Sequence, residues 1–253
     1  MLTICLRASD GEPAAALFER AAAAQFQAVE FPFAGKGSQE ERSPDHELHA
    51  LREAADRAVI RIGALRIDCD GVVSFGDPSE ESRRSAAAMI RGAIDAAVVC
   101  GASVVVVPPE LFRRKDASRL PRDEAYAKLL DAFSQIRFCA LHRGVTVACD
   151  FCRSPAFTSA GEARNFVDWV NSPFVGVSMT TSEDQGPETA TEWIALLGHR
   201  VKHVSVETTS KDLSAAFVAL GAAQFDGVIS VGGADSGALR AELGRIVGLN
   251  AAT

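Results

Sequence analysis

The chain has 253 residues, 47% hydrophobic and 23% charged, with a formal net charge of −7. This length fits one barrel-sized α/β unit or two smaller domains, and the composition is that of a folded globular chain. The acidic balance argues against broad nucleic-acid or anionic-membrane binding, and the apolar runs are shorter than the roughly 20 residues a membrane helix needs.

The opening MLTICLRASDGEP has no basic segment ahead of an apolar stretch, so it does not read as a secretory signal, and a cytoplasmic location is expected. From there, short β-branched runs alternate with Ala-rich stretches whose apolar residues recur every three or four positions. The pattern predicts a strand over 3–6 and a helix over 14–24, then a strand over 28–31 and a helix over 40–57. It continues with strand 59–64 and helix 80–100, strand 103–107 and helix 123–142, and strand 145–150 and helix 160–170. Strand 174–179 with helix 187–197, strand 201–206 with helix 211–220, and strand 227–231 with helix 236–247 complete the series. Gly101, Gly144, Gly198 and Gly221 stand where left-handed helix caps are expected. Trp169 and Trp193 fall in helices and are expected to pack between helix and barrel.

Eight strands alternating with eight helices, without a linker, point to a closed (β/α)8 TIM barrel formed by one domain over 1–253, with an open doubly wound sheet as the alternative. In such a barrel the site lies at the strand C-termini. The long irregular stretches 68–78, 108–122 and 180–188 all follow strands there.

Alternation places Thr146, Ala148 and Asp150 on one face of the fifth strand and His203, Ser205 and Glu207 on one face of the seventh. With Glu30 they form a polar cluster, read either as hydrogen-bonded barrel interior or as an acid/base pair or metal site. Gly232 and Gly233 precede the last helix, where a phosphate could meet backbone N–H groups, although Asp235 would repel it and such a turn also occurs without a ligand. Arg153, Arg113, Arg114 and Lys115 lie in strand-following loops and are open to an anionic ligand or to solvent, and Arg66 and Asp68 fit either site or surface. His46 and His49 lack a third ligand beside them and read as surface side chains. The six cysteines are expected to be reduced, and Cys149-Asp-Phe-Cys152 lacks the second C-x-x-C of a zinc site and the helix-opening context of a redox motif.

Several segments resemble the xylose-isomerase-like sugar and sugar-phosphate isomerases and epimerases. AQFQAVEF is similar to that family's G-F-x-x-V-E-L, and AIDAAVVCGASVVVVPP to A-x-x-L-G-A-x-x-V-V-V. LHRGVTVACDF is similar to A-x-x-x-G-V-x-L-A-L-E-N, and NSPFVGVSMTTSE to D-x-P-x-V-G-V-x-L-D-T-G-H. VKHVSVET is similar to I-x-H-V-H-L-K-D, and FDGVISVGG to Y-D-G-x-x-x-V-E. The resemblance implies a divalent metal held by Glu, Asp, His and Glu at the ends of strands five to eight, polarising a sugar carbonyl while carboxylates move protons. Those four positions fall on Asp150, Thr180, Ser205 and Gly232, and a further family His falls on Glu183. Three of the four donors are thereby replaced by two hydroxyls and no side chain, so no metal or other cofactor is expected unless Mn, Mg or Zn is held by a rebuilt site.

The resulting expectation is a divergent sugar isomerase/epimerase-like protein with a sugar- or polyol-sized pocket and a degenerate metal site, inactive in the family reaction. Asp150, Glu30, His203 and Glu207 are its catalytic candidates, and Arg153, Glu183, Thr180, Ser205, Gly232 and Gly233 its substrate-binding candidates. The alternatives are a non-catalytic binding or regulatory protein and a metal-independent epimerase or lyase using Asp150. The expected partner is a sugar, polyol or sugar phosphate, and a homodimer is admitted.

Overall fold

The computed structural model describes residues 2–34, 45–69, 73–112, 122–152, 154, 157, 159–181, 189–207, 213–233, 237, 238 and 240, apart from the side chains of Asp45, Arg122 and Glu207. Eight strands, β1 (Thr3–Arg7), β2 (Ala28–Ala34), β3 (Arg61–Asp68), β4 (Val104–Val107), β5 (Thr146–Asp150), β6 (Val175–Thr180), β7 (Val201–Glu207) and β8 (Val228–Gly232), close into a barrel in sequence order. Every neighbouring pair is parallel, including β1 with β8. The closed (β/α)8 architecture therefore stands, and the open sheet is excluded.

Seven helices are described: α1 (Ala14–Ala23), α2 (Asp45–Ala58), α3 (Glu80–Cys100), α4 (Arg122–Arg143), α5 (Ala160–Val170), α6 (Ala190–Leu197) and α7 (Leu213–Ala222). The helix expected over 236–247 lies largely outside the described residues. Local chemistry sets their ends. Ser79 caps α3 by accepting from the N–H of Ser82, and Gly101 ends it in the left-handed region at φ 76°. Thr189 and Glu192 form a reciprocal capping box on α6. Gly221 departs from its expected role: α7 runs on to Ala222, and Gln224 takes the positive φ instead. No described helix is long and apolar enough to cross a membrane.

Two apolar cores result. A large one lies between sheet and helices, built from residues such as Leu6, Val29, Ile90, Ile94, Val105 and Phe166. A small one fills the lower barrel interior with Cys5, Ala28, Ala64, Val104, Val106, Ala148 and Val228. Gly63 borders this inner core, and a Cβ there would come within 2.5 Å of the Cys5 sulfur. Trp193 packs as expected at 2% exposure, whereas Trp169 is 72% exposed, because its turn of α5 faces outward.

Candidate functional site

Immediately above the inner core the barrel turns polar. Glu30, Asp150, Ser178, His203 and Ser230 point inward by the two-residue alternation of their strands, and none is more than 1% exposed. His203 Nδ1 lies 2.8 Å from Ser178 Oγ, and its Nε2 lies 2.8 Å from Glu30 Oε2 and 2.9 Å from Ser230 Oγ. The Arg66 Nε–H donates to Glu30 Oε1 over 2.6 Å. Burial alone would push the Glu30 carboxyl up, but the Arg66 guanidinium and the His203 contact more than offset it and hold it well below the usual carboxylate range. Burial pushes His203 down, and Glu30 offsets this only in part. An ionised Glu30 beside a neutral imidazole fixes the tautomer. Nε2 carries the proton toward Glu30 and Ser230, and Nδ1 accepts from the Ser178 hydroxyl.

Arg7 ends β1 beside this layer and directs its guanidinium to Ser205, to which Nη1 donates. The same guanidinium lies against Gly232: a Cβ built there would be 2.7 and 2.8 Å from Arg7 Nε and Cζ, and closer still to Nη2. Its backbone is tied as well. Arg20 donates to the Arg7 carbonyl over 3.1 Å while pairing with Glu12 at 2.6 Å, which pins the β1–α1 loop. Across the mouth, Ser74 Oγ donates to the Leu111 carbonyl over 3.0 Å, locking the segment after β3 to the 3-10 turn at Pro109–Phe112 after β4.

A cavity of about 860 Å³ opens over this layer at the C-terminal ends of β1 to β4 and β8. Arg7, Glu30 and Arg66 reach it from the barrel, Asp10, Asp68 and Glu110 from the following loops, and Gly232 and Gly233 border it. The volume lies within the range of small-molecule sites.

The expected residues divide accordingly. Glu30, Gly232 and Gly233 line the cavity, and His203 is bonded to Glu30 beneath it. Asp150 and Thr180 end β5 and β6 inward and Ser205 lies inward two residues before the end of β7, but all three are at most 1% exposed and do not line this cavity. Asp150 acts on Arg66 through its charge. Glu207 closes β7 in register with Gly232, its side chain outside the described residues. Arg153 and Glu183 lie outside the described residues, as do Arg113, Arg114, Lys115 and the segment after Gly233 that would cap a phosphate. His46 and His49 are exposed on α2. All six cysteines are free thiols, and Cys149 is buried with its thiol pushed up by burial and by Asp150. Among the described residues no three His, Cys, Asp or Glu side chains are grouped to hold a metal ion.

Arg7, Ser178 and Ser230 were not expected at the site. Counting back two residues from Thr180 and Gly232 would have found both serines. Arg7 falls one residue beyond the strand as read from sequence, and Arg66 two beyond.

A search of curated proteins finds no match. Among solved structures, the apo form of the 3-keto-D-glucoside 4-epimerase YcjR from E. coli superposes with a TM-score of 0.76 at 16% identity, over 97% of this chain and 99% of that one. A D-psicose 3-epimerase solved in the presence of D-fructose gives 0.76 at 14% identity, over 93% and 88%. The IOLI protein with a bound zinc atom gives 0.71 at 16%, over 99% and 100%. At these identities the likeness concerns the fold. The family model described as "Xylose isomerase-like TIM barrel" matches residues 18–241, most of the chain, and with the closed barrel and its polar mouth this makes the protein a member of that family.

Proposed function

We propose that this protein is a divergent member of the sugar isomerase and epimerase barrels, one domain over 1–253, that accepts a sugar- or polyol-sized molecule in a mouth no longer built for a divalent metal. The observation that carries this reading is the Arg7 guanidinium, seated against Gly232 and bonded to Ser205, two of the four positions where the family resemblance puts metal donors. A third, Thr180, offers a neutral hydroxyl, and only Asp150 remains a carboxylate. A divalent cation wants several oxygen donors including carboxylates, and the Arg7 guanidinium held at two of these positions carries donors only and supplies no ligand. The described residues at these positions therefore do not fit the metal.

On this reading Glu30 is the cavity-lining candidate for proton transfer, His203 positions it from below, and Asp150 and Glu207 remain the other catalytic candidates. Thr180, Ser205, Gly232, Gly233, Arg153 and Glu183 remain candidate substrate contacts. We place the protein in the cytoplasm, with a small molecule as partner and a homodimer admitted. The ordinary metal-assisted interconversion of ketoses and aldoses is expected to be absent, since losing a positioned acid/base alone costs about 10² to 10⁴ in rate.

The test is a panel of sugars, polyols and sugar phosphates scored both by melting temperature and by turnover with and without Mn²⁺. Stabilisation by a panel compound without Mn²⁺-stimulated turnover is expected; a compound at 100 times its dissociation constant adds about 2.7 kcal/mol. Robust Mn²⁺-dependent turnover by the unmodified protein overturns the proposal.

A further inference from the structure

Resting on the reading above of the mouth as a small-molecule site, we infer that Arg66 is its ligand-binding residue, donating from its terminal nitrogens to an uncharged oxygen, so that the mouth takes free sugars or polyols in preference to their phosphates. The strand sets the direction. Ala64 belongs to the inner core, so Arg66 two residues on points inward one layer higher, and Asp68 at the end of β3 follows on the same face. Both Arg66 and Asp68 line the cavity. The Arg66 side chain is 21% exposed, whereas that of its partner Glu30 is sealed at 1%. Its bond to Glu30 uses Nε alone, and Nη2 is buried without a hydrogen-bond partner among the described residues. A charged donor left unmade in a buried place is costly, and it marks where an acceptor is wanted.

Arg66 thus has donors to give but no unbalanced charge. Glu30 meets it at 2.6 Å, and Asp150 and Glu110 act on the same guanidinium through their charges. A phosphate or carboxylate brought to Arg66 would be repelled by these carboxylates, whereas a carbonyl or hydroxyl oxygen would meet only the donors. The guanidinium is also held in place. The other oxygen of Glu30 lies 2.8 Å from His203 Nε2, and the imidazole is bonded in turn to Ser178 and Ser230, so the carboxylate that orients Arg66 is itself anchored across the barrel. Donors fixed before the ligand arrives bind it at a lower entropic cost. Asp68, about 7 Å further along the strand, offers acceptor oxygens to a ligand hydroxyl. A donor and an acceptor in line on one strand face suit a molecule whose hydroxyls both give and accept hydrogen bonds.

The experiment measures dissociation constants for D-fructose, D-tagatose, D-xylose and D-sorbitol, each beside its terminal phosphate ester, on the full native chain and on Arg66→Lys. Lysine keeps a cation for Glu30 but replaces the planar fork with a point charge drawn to that carboxylate. The native chain should bind at least one free compound, and bind it at least about tenfold more tightly than its ester. Arg66→Lys should weaken that binding about tenfold to a hundredfold, the usual effect of losing a hydrogen bond to a charged group, while its unliganded melting temperature stays close to the native one. A merely structural role for Arg66 would give the opposite pattern, a lower melting temperature with native affinity in the folded fraction. If Arg66→Lys does not fold, Arg66→Met combined with Glu30→Gln removes both charges together, and the same loss of affinity is expected. Native affinity in the folded variant, or tighter binding of the esters than of the free compounds by the native chain, overturns this inference and leaves the small-molecule reading intact. Binding of none of the eight compounds by the native chain overturns both.

Discussion

Arg66 and Glu30 show how one contact sets the chemistry of the mouth. Glu30 is 1% exposed, and a carboxylate in that position is tolerable only because a guanidinium 2.6 Å away and an imidazole N–H 2.8 Å away meet its two oxygens. Arg66→Met should therefore cost about 3–5 kcal/mol, the usual penalty for stranding a buried charge, whereas Arg66→Met combined with Glu30→Gln should recover much of the loss. Denaturant melts of the two variants decide it, and equal losses in both would show that the pair is not a unit. The sequence made Glu30, His203, Ser205 and Asp150 legible as inward-facing, because alternation needs only a strand and a parity. It did not reveal which of them touch, since the Glu30–His203 bond joins residues 173 apart in the chain. Nor did it reveal that Arg7 would reach across β8 to Ser205, which depends on Gly232, at the far end of the sequence from Arg7, having no side chain.

At the level of elements, strand and helix existence was legible and their ends were less so, for a physical reason visible at Val59. Read as β-branched, it suggested a strand beginning there. In the structure it is the turn that ends α2: the Val59 N–H donates to the Asp56 carbonyl, the Ile60 N–H to the Ala55 carbonyl, and Val59 takes φ 58° at 85% exposure. β3 consequently starts at Arg61 and runs to Asp68, and that shift is what carries Arg66 into the barrel beside Glu30. A β-branched side chain in the left-handed region is strained, and asparagine tolerates it far better. Val59→Asn should accordingly stabilise the protein by about 1 kcal/mol and raise its melting temperature by roughly 2–4 °C. An unchanged or lower melting temperature would mean that Val59 supports a contact outweighing the strain.

On the scale of the whole molecule, the barrel is layered from an apolar floor to a charged mouth, and the layer between them makes its stability sensitive to acid. The inner core of small side chains leaves the level above it to Glu30, His203, Ser178 and Ser230, each at most 1% exposed. Glu30 is held well below its ordinary range in the folded state, and His203 is also shifted down. For each group the unfolded chain then binds more protons than the folded one between the folded and unfolded pKa values, so stability rises with pH across that window and is lost as pH falls through it. His203 contributes below its unfolded value of about 6.5 and Glu30 below about 4.3. Unfolding free energy should therefore be level above neutrality, decline below about pH 6.5, and fall more steeply below about pH 4.5, with each group adding up to about 1.4 kcal/mol per pH unit. Charging His203 would also place a third cation near Arg66 and Arg7, both of which already oppose its protonation, and that sharpens the first step. Replacing His203 with glutamine keeps a donor near Glu30 without a titrating ring. That variant should keep the steep decline below pH 4.5 and lose the shallower one above it. A native curve that is flat from pH 7 down to pH 5, or one that the variant reproduces in full, would show that the buried imidazole does not set the acid limb of stability.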